Sequence, residues 1–233
     1  MILTKKNTAR LAGLLFLILI TTGIFAEFFV RQKIFVTGDI VTTSKNIINN
    51  EWLFRLGFVS DLVMSSMFFF YAFLLYLVFK NLYKEISLFM LFCVVISVAM
   101  YCQNMLNQFS AFELLHDPNY SNAFRAEQLQ GLSTFFLKMH TKGYFVNQIF
   151  FGMYLFPLGY MIFKSGVIPK VIGALLMLGC VGDLIDFVVY FMDPGNDSII
   201  LQNITIPADI GEISLCLWLL IMGVRDKKLQ DQE

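Results

Sequence analysis

The run Pro169-Lys-Val-Ile-Gly-Ala-Leu-Leu-Met-Leu-Gly-Cys-Val-Gly-Asp-Leu-Ile-Asp-Phe-Val-Val-Tyr190 decides the fold class. Its length, about 20 residues or ~30 Å of helix, matches the hydrocarbon thickness of a bilayer. It nevertheless carries two carboxylates, Asp183 and Asp186, towards one end. Neighbours on a helix face sit three and four positions apart, so Gly179, Asp183 and Asp186 line up. A small residue beside two acids on a membrane helix points into a bundle and away from lipid.

The rest of the chain has the same character. It is 58% hydrophobic and 15% charged, against about 45–50% and about 25% for a typical soluble domain. Phe alone occurs 26 times, and mean hydropathy is +0.70. Lys+Arg and Asp+Glu balance at 17 each, so there is no basic excess to attract nucleic acid. The expected partners are the lipid bilayer and a small-molecule or lipid ligand. Cys93, Cys102, Cys180 and Cys216 all lie in apolar runs and form no Cys-x-x-Cys pair, which reads as small buried hydrophobes.

Working outward from the quoted run, five further apolar stretches appear. The expected fold is all-α: a polytopic integral membrane helical bundle and a single membrane domain over residues 1–233. Its six transmembrane helices are predicted at about 11–30, 54–79, 86–108, 144–163, 169–190 and 207–224. The first apolar core exceeds the ~7–15 residues of a signal peptide and no Ala-x-Ala site follows, so it reads as an uncleaved span. Short interfacial helices are expected in the first and third connections. In the first, Asp39 is placed to cap a helix over Ile40–Ile48. In the third, His116-Asp117-Pro118-Asn119 reads as a turn. Phe124–Met139 is amphipathic, so it either lies in the interface or leads into the fourth span. Pro157 is expected to bend that span.

Six spans put both termini on one side. The termini and even-numbered connections carry ten Lys+Arg, the odd connections seven. The positive-inside rule then favours a multi-pass protein of the cell inner (cytoplasmic) membrane with both termini cytoplasmic.

On this topology the polar residues within the spans cluster on one side. Glu27 is late in the first span, and Arg55 and Asp61 are early in the second. Gln103, Asn104, Asn107 and Gln108 are late in the third, Asn147 and Gln148 early in the fourth. Asp183 and Asp186 are late in the fifth and Glu212 is early in the sixth. The other halves are Leu, Ile, Phe, Val, Met and Ala. A charge near mid-helix costs about 2.5–3.5 kcal/mol on insertion scales. One reading is an acid-rich pocket in the outer half that binds a small amphiphilic or cationic ligand, a lipid or a membrane partner. Its candidate residues are Glu27, Arg55, Asp61, Asn104, Asn107, Gln108, Asn147, Asp183, Asp186 and Glu212. The other is structural: the residues tolerate the interface, or pair with Arg55 and the Asn/Gln groups to orient helices.

Two alternative functions stay open. One is an intramembrane enzyme acting on lipid or an envelope precursor, with His140 beside a carboxylate. His116 and His140 are the available metal-ligating histidines, but no His-Glu-x-x-His or other compact metal motif is present. A Gly-Lys-[Ser/Thr] phosphate loop and a Gly-x-Ser-x-Gly elbow are also missing from the sequence, so no cofactor is expected. The other is a cation- or proton-coupled transporter. For this the inner half offers little beyond Tyr71, Tyr76 and Ser97, where alternating access needs a route to both sides.

Several short motifs occur in a fixed order: Ala9-Arg10-Leu11-Ala12-Gly13, Ala26-Glu27-Phe28-Phe29-Val30-Arg31, Phe54-Arg55-Leu56-Gly57, Lys164-Ser165-Gly166, Ile168-Pro169-Lys170, Leu184-Ile185-Asp186 and Gly211-Glu212. In these the chain resembles the bacterial membrane family catalogued as domain of unknown function 4386. The resemblance covers nearly the whole chain and implies a bacterial inner-membrane protein with several helices. It supplies no activity and no functional residues. Tyr154 stands where such proteins often carry His or Trp, so a catalytic His at that place does not apply.

Overall fold

The computed structural model describes residues 4–195 and 198–225. They form α1 (Lys5–Ile24), which runs through a π-helical stretch (Phe25–Arg31) into α2 (Gln32–Ile34), then α3 (Ile40–Asn49), α4 (Glu51–Phe79), α5 (Lys84–His116) and α6 (Pro118–Ala123). After these come α7 (Ala126–Met153), α8 (Leu155–Ser165), α9 (Lys170–Met192), α10 (Ile199–Gln202) and α11 (Ile206–Ile221). No strand occurs among the described residues. Six helical segments are long and apolar enough to cross a membrane: Lys5–Ile34, Glu51–Phe79, Lys84–His116, Ala126–Ser165, Lys170–Met192 and Ile199–Ile221. The protein is therefore a multi-pass, all-helical membrane protein. Large apolar side chains such as Leu14, Phe92, Leu178 and Ile221 are exposed along these spans. In water such a surface would drive aggregation, whereas lipid tails cover it at no cost.

The connections follow local chemistry. Gly38 takes the left-handed turn (φ +82) that few other residues tolerate. Asp39 then caps α3, accepting from the Thr42 amide at 2.9 Å and the Thr42 hydroxyl at 2.6 Å. The α3 helix is tied down further: Thr43 Oγ1 accepts from the Val36 amide (2.9 Å), and Asn46 Nδ2 donates to the Ile34 carbonyl (3.1 Å). The predicted turn at His116–Asn119 opens the short helix α6, with Asp117 as cap and Pro118 in its first turn. Of the two readings of 124–139, the second holds, because α7 runs on without a break into the fourth span. That span is interrupted at Tyr154, three residues before Pro157. Proline lacks the amide that would bond the carbonyl four residues back, so the helix breaks there. Asp193-Pro194-Gly195-Asn196-Asp197 reads from the sequence as a turn; residues 196–197, and those beyond Arg225, lie outside the described residues.

The Asp39 cap carries a pH signature. The Thr42 hydroxyl, then the Thr42 amide, hold its carboxyl below the usual range. A group lowered on folding contributes stability that is complete above the unfolded value, ~3.9, and is lost as pH falls through the lower folded value. Protection of the Thr42 amide, taken relative to its unfolded exchange rate at the same pH, is expected to hold at neutral pH and to fall only in that acidic window. Asp39→Ala should lack that protection at every pH. Equal protection in the variant would remove the cap's role.

The chain divides into two compact units. One comprises residues 19–66 and 99–144. Its core is Val30, Ile34, Ile47, Phe54 and Phe112, all buried, with Phe54 stacked on Phe112 at 5.1 Å. Gly57 faces Val30 so closely that an added Cβ would stand 2.6 Å from a Val30 methyl. The other unit comprises the described residues of 1–18, 67–98 and 145–233. Its helices meet along glycine seams. Gly159 of α8 faces Gly173 of α9, where a Cβ on Gly159 would lie 2.5 Å from the Gly173 carbonyl oxygen. Gly179 of α9 faces Ala208 of α11 (2.6 Å to its Cα), and Gly211 faces Leu176 (3.0 Å). Lipid gives apolar helices no hydrophobic reason to associate, so close backbone packing over small residues is what holds them.

Candidate functional site

The candidate residues fall into two sets, one in each unit. In the unit of residues 19–66 and 99–144, the centre is Arg31. Its Nε meets Glu27 Oε2 at 2.7 Å, and its Nη1 meets Asp61 Oδ2 at 2.6 Å. The Tyr101 hydroxyl donates to Asp61 Oδ1 at 3.0 Å. Asp61 is fully buried (0% exposed). Both of its oxygens therefore have a donor, as a buried carboxylate requires.

This corrects the sequence expectation in one respect. Arg55 is not the buried cation: it pairs with exposed Glu51 at 2.9 Å and lies over the Phe112 ring at 4.5 Å. Arg31, assigned from sequence to a connector, belongs to the π-helical end of the first span. The signal was present as the four-residue spacing from Glu27, which places an acid and a base on one helix face.

The amides beside it tie α5 to α7. Asn104 Nδ2 donates to the His140 carbonyl (2.8 Å), and His140 Nδ1 lies 3.3 Å from the Asn104 carbonyl. A carbonyl only accepts, so Nδ1 carries the proton. Asn107 Nδ2 donates to Asn104 Oδ1 (3.0 Å), and Gln108 is buried with Oε1 unpartnered. His116 is stacked on Phe112 at 3.8 Å with Nε2 4.0 Å from Glu51. Among the described residues, no three His, Cys, Asp or Glu side chains are grouped to hold a metal ion.

The second set is built on an antiparallel ladder between α7 and α9. Phe145 stacks on Tyr190 (3.6 Å), Gln148 Nε2 donates to Asp186 Oδ2 (2.9 Å), and Gly152 faces Asp183, where a Cβ would stand 2.8 Å from the Asp183 Cβ. Each step advances three or four residues on both helices, so one face of α7 reads one face of α9. Beyond it, at the break between α7 and α8, the Tyr154 hydroxyl donates to Glu212 of α11. Tyr154 also meets the Phe68 ring edge-on at 5.1 Å. Asp209 lies three residues before Glu212, and Asp183, Asp209 and Glu212 are close enough to act on one another electrostatically.

The two sets differ in charge balance. Asp61 has Arg31. Among the described residues, no Lys, Arg or His forms an ion pair with Asp183, Asp186, Asp209 or Glu212. Asp183 is 4% exposed and its Oδ2 has no hydrogen-bond partner. Gln148 Oε1 and Asn147 Oδ1 are likewise buried and unpartnered. Sequence reading found these carboxylates and amides and marked Tyr154 only as standing where related proteins carry His or Trp; it missed Tyr101, because a tyrosine in an aromatic-rich span has nothing to set it apart.

Residues 11–223 match the family described as "Domain of unknown function (DUF4386)". The chain belongs to the DUF4386 family. Every residue of the two sets lies within the DUF4386 match. A stretch of 78 residues is 35% identical to an "Uncharacterized protein" of Archaeoglobus fulgidus, covering 34% of this chain and 44% of that relative. The match thus takes in less than half the relative's length. No solved structure matches this DUF4386 chain.

Proposed function

We propose that this protein binds a small cationic or amphiphilic ligand through Asp183, Asp186 and Glu212. In this reading it sits in the cytoplasmic membrane with both termini on the cytoplasmic side, and the site lies in the outer half. The Lys+Arg distribution supports the orientation. The observation that carries the ligand is the unbalanced acid set: acids in a span are retained where they meet a partner, and here the chain provides no cation for them among its described residues. Tyr154 and Gln148 hold Glu212 and Asp186 in place for that partner.

The test is a binding titration in nanodiscs with two amphiphilic cations, dodecylamine and dodecyltrimethylammonium. At least one is expected to bind the wild type. Asp183→Asn or Glu212→Gln should weaken it roughly 10–100-fold, the value of a hydrogen bond or ion pair to a charged group. Binding of neither cation, or equal binding by the variants, would overturn the reading.

A further inference from the structure

Resting on that reading, we infer that the ligand's head is a primary ammonium, a group that brings N–H donors as well as positive charge. A quaternary ammonium satisfies the charge alone. The difference lies in which atoms are left unpartnered beside the acids.

Gln148 is 8% exposed and Asp183 4% exposed, so water reaches neither side chain freely. Gln148 commits its amide nitrogen to Asp186 Oδ2 at 2.9 Å. That fixes the orientation of the amide, because the reverse would set its oxygen against a carboxylate. The oxygen Oε1 is then turned away, buried and without a donor. Asp183 Oδ2 is in the same condition. With Asp183 ionised, both unmet atoms are acceptors, and they belong to two different helices, α7 and α9. An unpaired buried acceptor costs about 1–3 kcal/mol, so two of them beside acids that have no cation partner favour a donor.

Gly152 lets α7 come into close contact with α9 at Asp183. A Cβ there would stand 3.4 Å from Oδ2 and 2.8 Å from the Asp183 Cβ. An ammonium has three N–H donors, enough to meet unpartnered acceptors such as Asp183 Oδ2 and Gln148 Oε1. A trimethylated head presents only methyl groups to them.

The head can come from a membrane aminolipid or from a free amine. In phosphatidylcholine nanodiscs, dodecylamine is expected to bind at least tenfold more tightly than dodecyltrimethylammonium. Gln148→Leu should bring that ratio towards one. Equal binding of the two cations by the wild type would overturn the donor inference and leave cation binding standing. Binding of neither would remove both. A second arm replaces part of the phosphatidylcholine by phosphatidylethanolamine. Competition with dodecylamine assigns the ammonium to a lipid, and unchanged dodecylamine binding assigns it to a free amine.

Discussion

Arg31→Ala is expected to lower stability by about 3–5 kcal/mol, the cost of leaving a buried charge without its partner. Asp61 has no exposed surface, and Arg31 at 2.6 Å is its only cation among the described residues. The Tyr101 hydroxyl remains, but it donates to one carboxylate oxygen and carries no charge. Glu27, paired with the same guanidinium at 2.7 Å, is about half exposed and can turn to solvent. The damage therefore concentrates at Asp61. Asp61→Asn in the Arg31→Ala background should recover most of the loss, since the second change removes the stranded charge. Reversible unfolding in detergent, run as a double-mutant cycle, measures this directly. Additive losses in the double variant would show that the two residues contribute independently.

Gly179→Val is the second large effect, about 3 kcal/mol through overpacking. The new Cβ would lie 2.6 Å from the Cα and 2.8 Å from the amide nitrogen of Ala208. A flexible side chain would yield to such a contact. A helix backbone yields only by moving α11 away from α9, and that separates the seam next to Asp183 and Glu212. Loss of ligand binding should accompany the loss of stability. Gly131→Ala is the control: no atom lies within 4 Å of its Cβ position, and the change should stabilise α7 by about 0.5–1 kcal/mol. If the two substitutions unfold alike, the seam is not what holds these helices.

Much of the site was legible as a list of residues but not as an arrangement. Glu27, Asp61, Asp183, Asp186 and Glu212 stand out because acids are rare in apolar runs. Their partners do not. Arg31 to Asp61 spans 30 positions, Gln148 to Asp186 spans 38, and Tyr154 to Glu212 spans 58. The sequence offered Arg55, with the Asn and Gln groups, as a pairing partner for these acids. The folded chain instead turns Arg55 to Glu51 one helical turn away.

What the sequence alone determined is what a bilayer imposes locally. Each span must be about 20 apolar residues long, and its hydrogen bonds must close within the helix, so length and composition suffice to find it. The Asp39 cap is equally local, decided within four residues. Only the tertiary structure decided which acids are neutralised and which are not. That depends on helix rotation and register, set here by contacts such as Gly159 on Gly173 and Gly152 on Asp183. Those contacts depend on distances of tenths of an ångström between residues far apart in the chain. They place Arg31 against Asp61 and leave Asp183 without a cation among the described residues.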